Sequence, residues 1–200
     1  MSNRFVPGRQ TQNRKLLQSS VIVGWGEKQE LVVRESTIAP PSPPIFRIVG
    51  EPDKEVVITQ TKLVPTVIVN SLLNTNQTTK PKIWWGKVII NGYIDKNVNY
   101  KTITDFDTEA VNGPLYQYTT RVEFATFVEV SATEPLVDTD KVEILSAIVE
   151  GEKEDLLDPN PVAAGAPDWA VTYNGLLEKM IVQITLKVVR IEDVPVAVDC

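Results

Sequence analysis

The chain has 200 residues, 42% hydrophobic and 23% charged, with a net charge of −6. That size and balance support one medium domain that folds without disulfides or metals, and exclude wholesale disorder. The acidic balance argues against nucleic acid as a partner, and the absence of histidine removes the commonest general base, the commonest zinc ligand and every Ser-His or Cys-His dyad.

The first fifteen residues run against the overall charge, with Arg4, Arg9, Arg14 and Lys15 and no acid. They read either as a solvated tail or as an arm that docks on an acidic neighbouring subunit. In the second reading Arg4, Phe5, Arg9 and Arg14 make the contact, joined by Ile22 and Trp25 from the segment that follows. The N-terminus lacks the apolar core of a secretory signal, and no run of about eighteen apolar residues is present. The expectation is a chain made in the cytoplasm, with no membrane span, that stays there or leaves by an unusual route.

SVIVGWG (Ser20 to Gly26) and ELVVR (Glu30 to Arg34) predict a short strand pair turning at Glu27, Lys28 and Gln29. IAPPSPPIF (Ile38 to Phe46) predicts an extended, polyproline-like hinge, because its prolines fix φ and remove ladder donors. The hinge divides an N-terminal appendage, residues 1–44, from a main domain, 45–194, and a tail, 195–200.

Strand signals then recur. IFRIV (Ile45 to Val49), EVVITQTKLV (Glu55 to Val64) and TVIVN (Thr66 to Asn70) are rich in β-branched residues. Ser71 to Pro81 reads as a polar loop. In KVIINGYIDKNVNY (Lys87 to Tyr100), Val88, Ile90, Gly92, Ile94, Val98 and Tyr100 share one parity, broken only by Lys96. Asn91, Tyr93, Asp95, Asn97 and Asn99 share the other. That period of two predicts a half-buried strand whose polar face meets solvent or a neighbour. Thr104 to Pro114 is a turn region ending in Asn112-Gly113, a hairpin signal. Leu115 to Val130 returns as a long strand, so the two flanking strands are expected to pair antiparallel. Lys141 to Glu152 predicts another strand, Asp155 to Trp169 a long loop, and Gly175 to Val194 a closing strand, with a short helix near Leu176 as an alternative at its start. The fold class is all-β, a sandwich or barrel of roughly eight to ten mostly antiparallel strands.

Candidate chemistry is thin. Asp105, Asp107, Glu109, Asp138 and Asp140 lack the glycine and closing glutamate of an EF-hand loop and read as turn acids. The run Glu150, Glu152, Glu154, Asp155 and Asp158 reads as a soluble loop or an acidic docking patch for the basic arm. Trp84, Trp85, Tyr93, Tyr100, Tyr116 and Tyr118 suit packing or a subunit interface better than a carbohydrate platform. No Walker loop, GxGxxG, GxSxG or metal-spaced Cys/His set occurs. The expectation is therefore no enzyme, no cofactor and no metal. Cys200, alone at the end of the sequence, is either an inert thiol or an interchain disulfide partner.

Three segments together, KVIINGYIDKNVNY, RVEFATFVEV (Arg121 to Val130) and MIVQITLKVVRI (Met180 to Ile191), resemble the SPOCS domain family of spore-coat and spore-surface assembly proteins. The resemblance extends from about Val49 to Val194. It implies a β-rich module from an endospore-forming bacterium that acts through protein–protein contacts and has no catalytic residues. No peptidoglycan-binding module follows, so self-assembly is favoured over an adaptor role. The expected function is a structural subunit that polymerises with copies of itself, or with other coat proteins, into a spore-surface layer or appendage. The alternative is an adaptor that recruits another coat protein or binds a cell-wall glycan through the Asn91 to Asn99 face.

Overall fold

The computed structural model describes residues 14–66 and 84–197. Among these residues are nine strands: β1 (Arg14–Thr37), β2 (Arg47–Ile48), β3 (Asp53–Thr66), β4 (Trp84–Lys101), β5 (Asp105–Phe106), β6 (Val111–Asn112), β7 (Leu115–Ala132), β8 (Lys141–Pro159) and β9 (Tyr173–Ala197). Every long strand pairs antiparallel with its neighbours. The all-β expectation holds.

β4 and β7 pair along their whole length, from Trp84 opposite Ala132 to Lys101 opposite Leu115, as the expected long hairpin. The small β5–β6 hairpin sits at its turn, and β3 covers the other side of β4. These strands form one layer. β1, β9 and β8 form the second, and the layers join where β1 meets β7 at Gly24–Trp25. The polypeptide thus curls toward a barrel but stays open along one seam, where β3 and β8 face each other without pairing. Both seam strands carry bulges, at Thr59 in β3 and at Leu145 and Glu150 in β8. Pro65 also lies on β3. Bulges and proline are what unpaired edges accommodate, and they block edge-to-edge addition.

Alternation supplies the core. Val88, Ile90 and Ile94 of β4, Val128 and Val130 of β7, and Met180, Val182, Ile184, Leu186 and Val188 of β9 are fully buried between the layers. A second apolar cluster, Ile38, Ile45, Val98, Tyr100 and Leu176, closes one end.

Several local readings change. The strand pair expected at Ser20–Arg34 is one continuous strand: Glu27, Lys28 and Gln29 are paired residues of β1, opposite Thr185, Ile184 and Gln183. No turn forms because β9 offers an uninterrupted partner of matching length. The proline segment is pinned at both ends, by buried Ile38 and Ile45, and Tyr100 donates a hydrogen bond to the Pro43 carbonyl at 3.2 Å. β1, expected as part of an appendage, contributes Val23 and Val32 to the main core. The start of the expected loop at Asp155 continues β8 to Pro159, and β9 begins at Tyr173 as strand, with no helix near Leu176. Most of Thr66 to Asn70 and the Ser71 to Pro81 loop lie outside the described residues.

Candidate functional sites

The first site is a ribbon at one end of the molecule. β1 pairs with β9 from Arg14 opposite Ala197 to Thr37 opposite Gly175. β7 reaches only Gly24 of β1, and β8 reaches only Val189 of β9. Residues 14–22 and 190–197 therefore form a two-stranded ribbon whose outer edges pair with no other strand among the described residues. Leu16 is 69% exposed and Leu17 57%, and Ile22, Ile191 and Val194 are also exposed. Leu17 faces Val194 across the ribbon, while Leu16 and Ile22 lie on the opposite face, which Ile191 shares. A ribbon of two strands with apolar side chains on both faces and two free edges has little to stabilise it alone. Trp25, just inside its base, is half exposed. Of the expected contact residues, Ile22 and Trp25 are thus placed on or beside the ribbon and Arg14 stands at its tip. Arg4, Phe5, Arg9 and Cys200 lie outside the described residues.

The second site is the outer face of β4. Asn91, Tyr93, Asp95, Asn97 and Asn99 lie in one row, each half-buried, as the alternation requires. Their side chains are largely engaged within the sheet. Asn91 donates to Gln60 Oε1 at 3.0 Å, Thr119 donates to Asn97 at 3.1 Å, and Arg121 forks onto both Asp95 oxygens at 2.7 Å while lying 3.7 Å above the Tyr93 ring. The Arg121 hydrogen bonds hold the Asp95 carboxyl below its ordinary range.

The third site is inside. Between the two apolar clusters runs a layer of charged and polar side chains. Two cross-strand rows build it: Lys54, Lys96 and Thr120 on β3, β4 and β7, and Arg34, Glu178 and Glu154 on β1, β9 and β8. Neighbours along each strand are apolar core: Ile94 and Val98 flank Lys96 two residues away, Leu176 and Met180 flank Glu178. The Lys96 side chain is 0% exposed, and its Nζ lies 2.5 Å from Glu154 Oε1, 3.1 Å from Glu152 Oε2 and 3.2 Å from Glu178 Oε1. Lys54 also pairs with Glu152. Glu178 is fully buried as well; its Oε1 feels the Lys96 charge, but neither oxygen accepts a well-formed hydrogen bond. Burial pushes the Glu178 carboxyl above its ordinary value, and the attraction of Lys96 only partly offsets that. Burial alone would depress Lys96, but its bond to Glu154 and the pull of Glu178 and Glu152 outweigh this and hold it above its ordinary value.

This layer was legible only as anomalies. Lys96 breaks the apolar parity of β4, and Glu178 breaks the Leu176-Met180-Val182 parity of β9. Glu152 and Glu154 are not in a soluble loop or docking patch; they alternate inward from strand β8, which runs on past the expected end at Glu152 to Pro159. Among the described residues no group of acids is arranged to hold a metal ion, and no helix is long and apolar enough to cross a membrane.

Residues 53–150 match the family model for the SipL, SPOCS domain. This segment is similar to the SPOCS domain over just under half of the chain. The match covers β3 to the middle of β8 and includes two of the three segments that carry the resemblance; Met180 to Ile191 lies beyond it. The family associates the protein with the bacterial spore. No curated protein and no solved structure matches the chain. The matched segment supplies Lys54 and Lys96 of the charged layer, whereas Glu152, Glu154, Glu178 and Arg34 come from the strands that complete the sandwich around it.

Proposed function

We propose that this chain is a structural, non-enzymatic subunit that assembles with further copies of itself into a layer or filamentous appendage of the spore surface. The N-terminal arm docks on neighbouring subunits. The observation that carries this reading is the β1–β9 ribbon, with its exposed Leu16, Leu17, Ile22, Ile191 and Val194 and two edges unpaired among the described residues. Strand edges of this kind are completed by a strand from another chain, main-chain hydrogen bonds supplying affinity and the apolar side chains supplying register. A contact between two different patches of one chain propagates into rings or open filaments.

Charge supports the same partner. Residues 1–13 and 198–200 continue from the same end of the ribbon, because Arg14 stands opposite Ala197. The first fifteen residues carry four of the 20 basic groups and none of the 26 acids, leaving 16 − 26 = −10 on the remainder. An arm of that sign is attracted to the body of another copy. In this reading Cys200, which lies outside the described residues, locks chains together in an oxidising setting. An adaptor reading through the β4 face has weaker support, since Asn91, Asp95 and Asn97 already bond within the sheet.

The test is sedimentation of the full chain over a concentration series, beside a variant lacking residues 1–13, which spares all of β1. Large species from the full chain, reduced on truncation, are expected. A full chain that stays monomeric throughout overturns the proposal.

A further inference from the structure

Burying a lysine with three carboxylates is a costly way to hold a sandwich together. Replacing the whole set together by apolar side chains of similar volume is often neutral or stabilising, since desolvation consumes most of the Coulombic gain. What the arrangement does provide is reacting partners in contact, out of water. The geometry points to a modification site: an intramolecular amide bond between the Lys96 side-chain nitrogen and the Glu178 carboxyl, formed with Glu154 as the base.

Lys96 Nζ lies 3.2 Å from Glu178 Oε1, so the amine and the carboxyl group are held in direct contact, and holding reacting partners together replaces a large part of the barrier. Glu178 is fully buried, with no hydrogen bond to either oxygen. Burial shifts its carboxyl toward the neutral acid, the electrophilic form, and the attraction of Lys96 offsets that only in part. Glu154 Oε1 is 2.5 Å from the same nitrogen and so is placed to take its proton. Glu152 is engaged by Lys54 as well as Lys96 and serves to hold the layer's charge.

The step balances without any co-reactant. The Glu154 carboxylate accepts one proton from the Lys96 ammonium. The free amine attacks the Glu178 carboxyl carbon; the C–N bond forms and a C–O bond breaks. The leaving hydroxyl takes a second proton from the nitrogen and departs as water. Nothing is oxidised or reduced, and the amide keeps one N–H. The bond joins β4 to β9 and so ties the two layers covalently across the core.

Intact-mass spectrometry of the denatured full chain, followed by trypsin and fragmentation, tests this. The expected mass is one water below that of the sequence, with a branched peptide linking Lys96 to Glu178. Lys96→Arg is expected to restore the full mass, and Glu154→Gln to leave a larger unlinked fraction. A wild-type chain at full mass, with Lys96 recovered in a linear peptide, overturns the proposal. So does a water loss that maps to any other pair. An unchanged linked fraction in folded Glu154→Gln refutes the assignment of the base. None of these readouts depends on whether the subunit polymerises.

Discussion

Replacing Lys96 by Met keeps most of the length of the side chain and removes its charge. In the fold without a Lys96–Glu178 bond, the 0% exposed ammonium sits within 3.2 Å of three carboxylates from two strands of the opposite layer. Without it, Glu178 and Glu154 stand side by side across β9 and β8, with Lys54 reaching only Glu152. Leaving one side of a buried ion pair uncompensated costs about 3–5 kcal/mol. For a domain of this size, where each kcal/mol is worth about 2–4 °C, the melting temperature should fall by roughly 6–20 °C at pH 7. The pH dependence has a definite sign. Glu178 already holds its proton more tightly when folded than its ordinary 4.5, and losing Lys96 tightens that further. A carboxyl whose folded value is raised favours the native state below its unfolded pKa and loses that contribution as pH rises. The Lys96→Met deficit should therefore be largest near neutrality and shrink toward pH 4.5. Adding Glu178→Gln to the variant should recover much of the loss. The assay is thermal unfolding followed by circular dichroism across pH. A Lys96→Met chain that melts with the wild type, or one whose deficit grows on acidification, would falsify the assignment of a charged core layer.

Three further outcomes follow from named contacts. Gly26→Val places a Cβ 2.6 Å from the Glu129 carbonyl oxygen and 2.7 Å from Val128 Cγ1, where β1 crosses onto β7; a loss of about 1–3 kcal/mol is expected in chemical denaturation, and no loss would mean that the layers are not joined there. Arg190→Ala strips the fork from Asp140, whose side chain is 0% exposed, and should cost about 3–5 kcal/mol at neutral pH. Burial pushes Asp140 up, but the Arg190 and Val137 hydrogen bonds outweigh it and hold the carboxyl below 3.8, so its stabilisation is present above that pH and is lost on acidification; the variant's melting curve should be flatter in the acid range. Leu16→Ser with Leu17→Ser changes only exposed side chains and should shift stability by no more than about 0.5 kcal/mol while weakening assembly measured by light scattering. Unchanged assembly would remove the ribbon from the interface.

The parts that were readable in the sequence share one property: a period of two running long enough to be unmistakable. Val88 to Tyr100 and Val122 to Val130 alternate cleanly because one face meets the core and the other meets solvent, and they pair as expected. The misread parts are those where a partner strand decides. Glu27-Lys28-Gln29 looks like a turn, but in β1 only alternate residues turn outward, and β9 supplies the missing half of the pattern. Glu152 and Glu154 read as loop acids because inward-facing residues are normally apolar, and the facing Lys96 and Lys54 make their position tolerable. The ribbon was unreadable for a third reason: its Leu16 and Leu17 expose apolar side chains on both faces, which no single-chain pattern anticipates.

The central claim is that this chain is an assembly subunit, and negative-stain electron microscopy of the purified full chain tests it most directly. Ordered layers or filaments that disappear when residues 1–13 are removed are the result expected here. A field of isolated single particles across concentration, pH and redox conditions would contradict it.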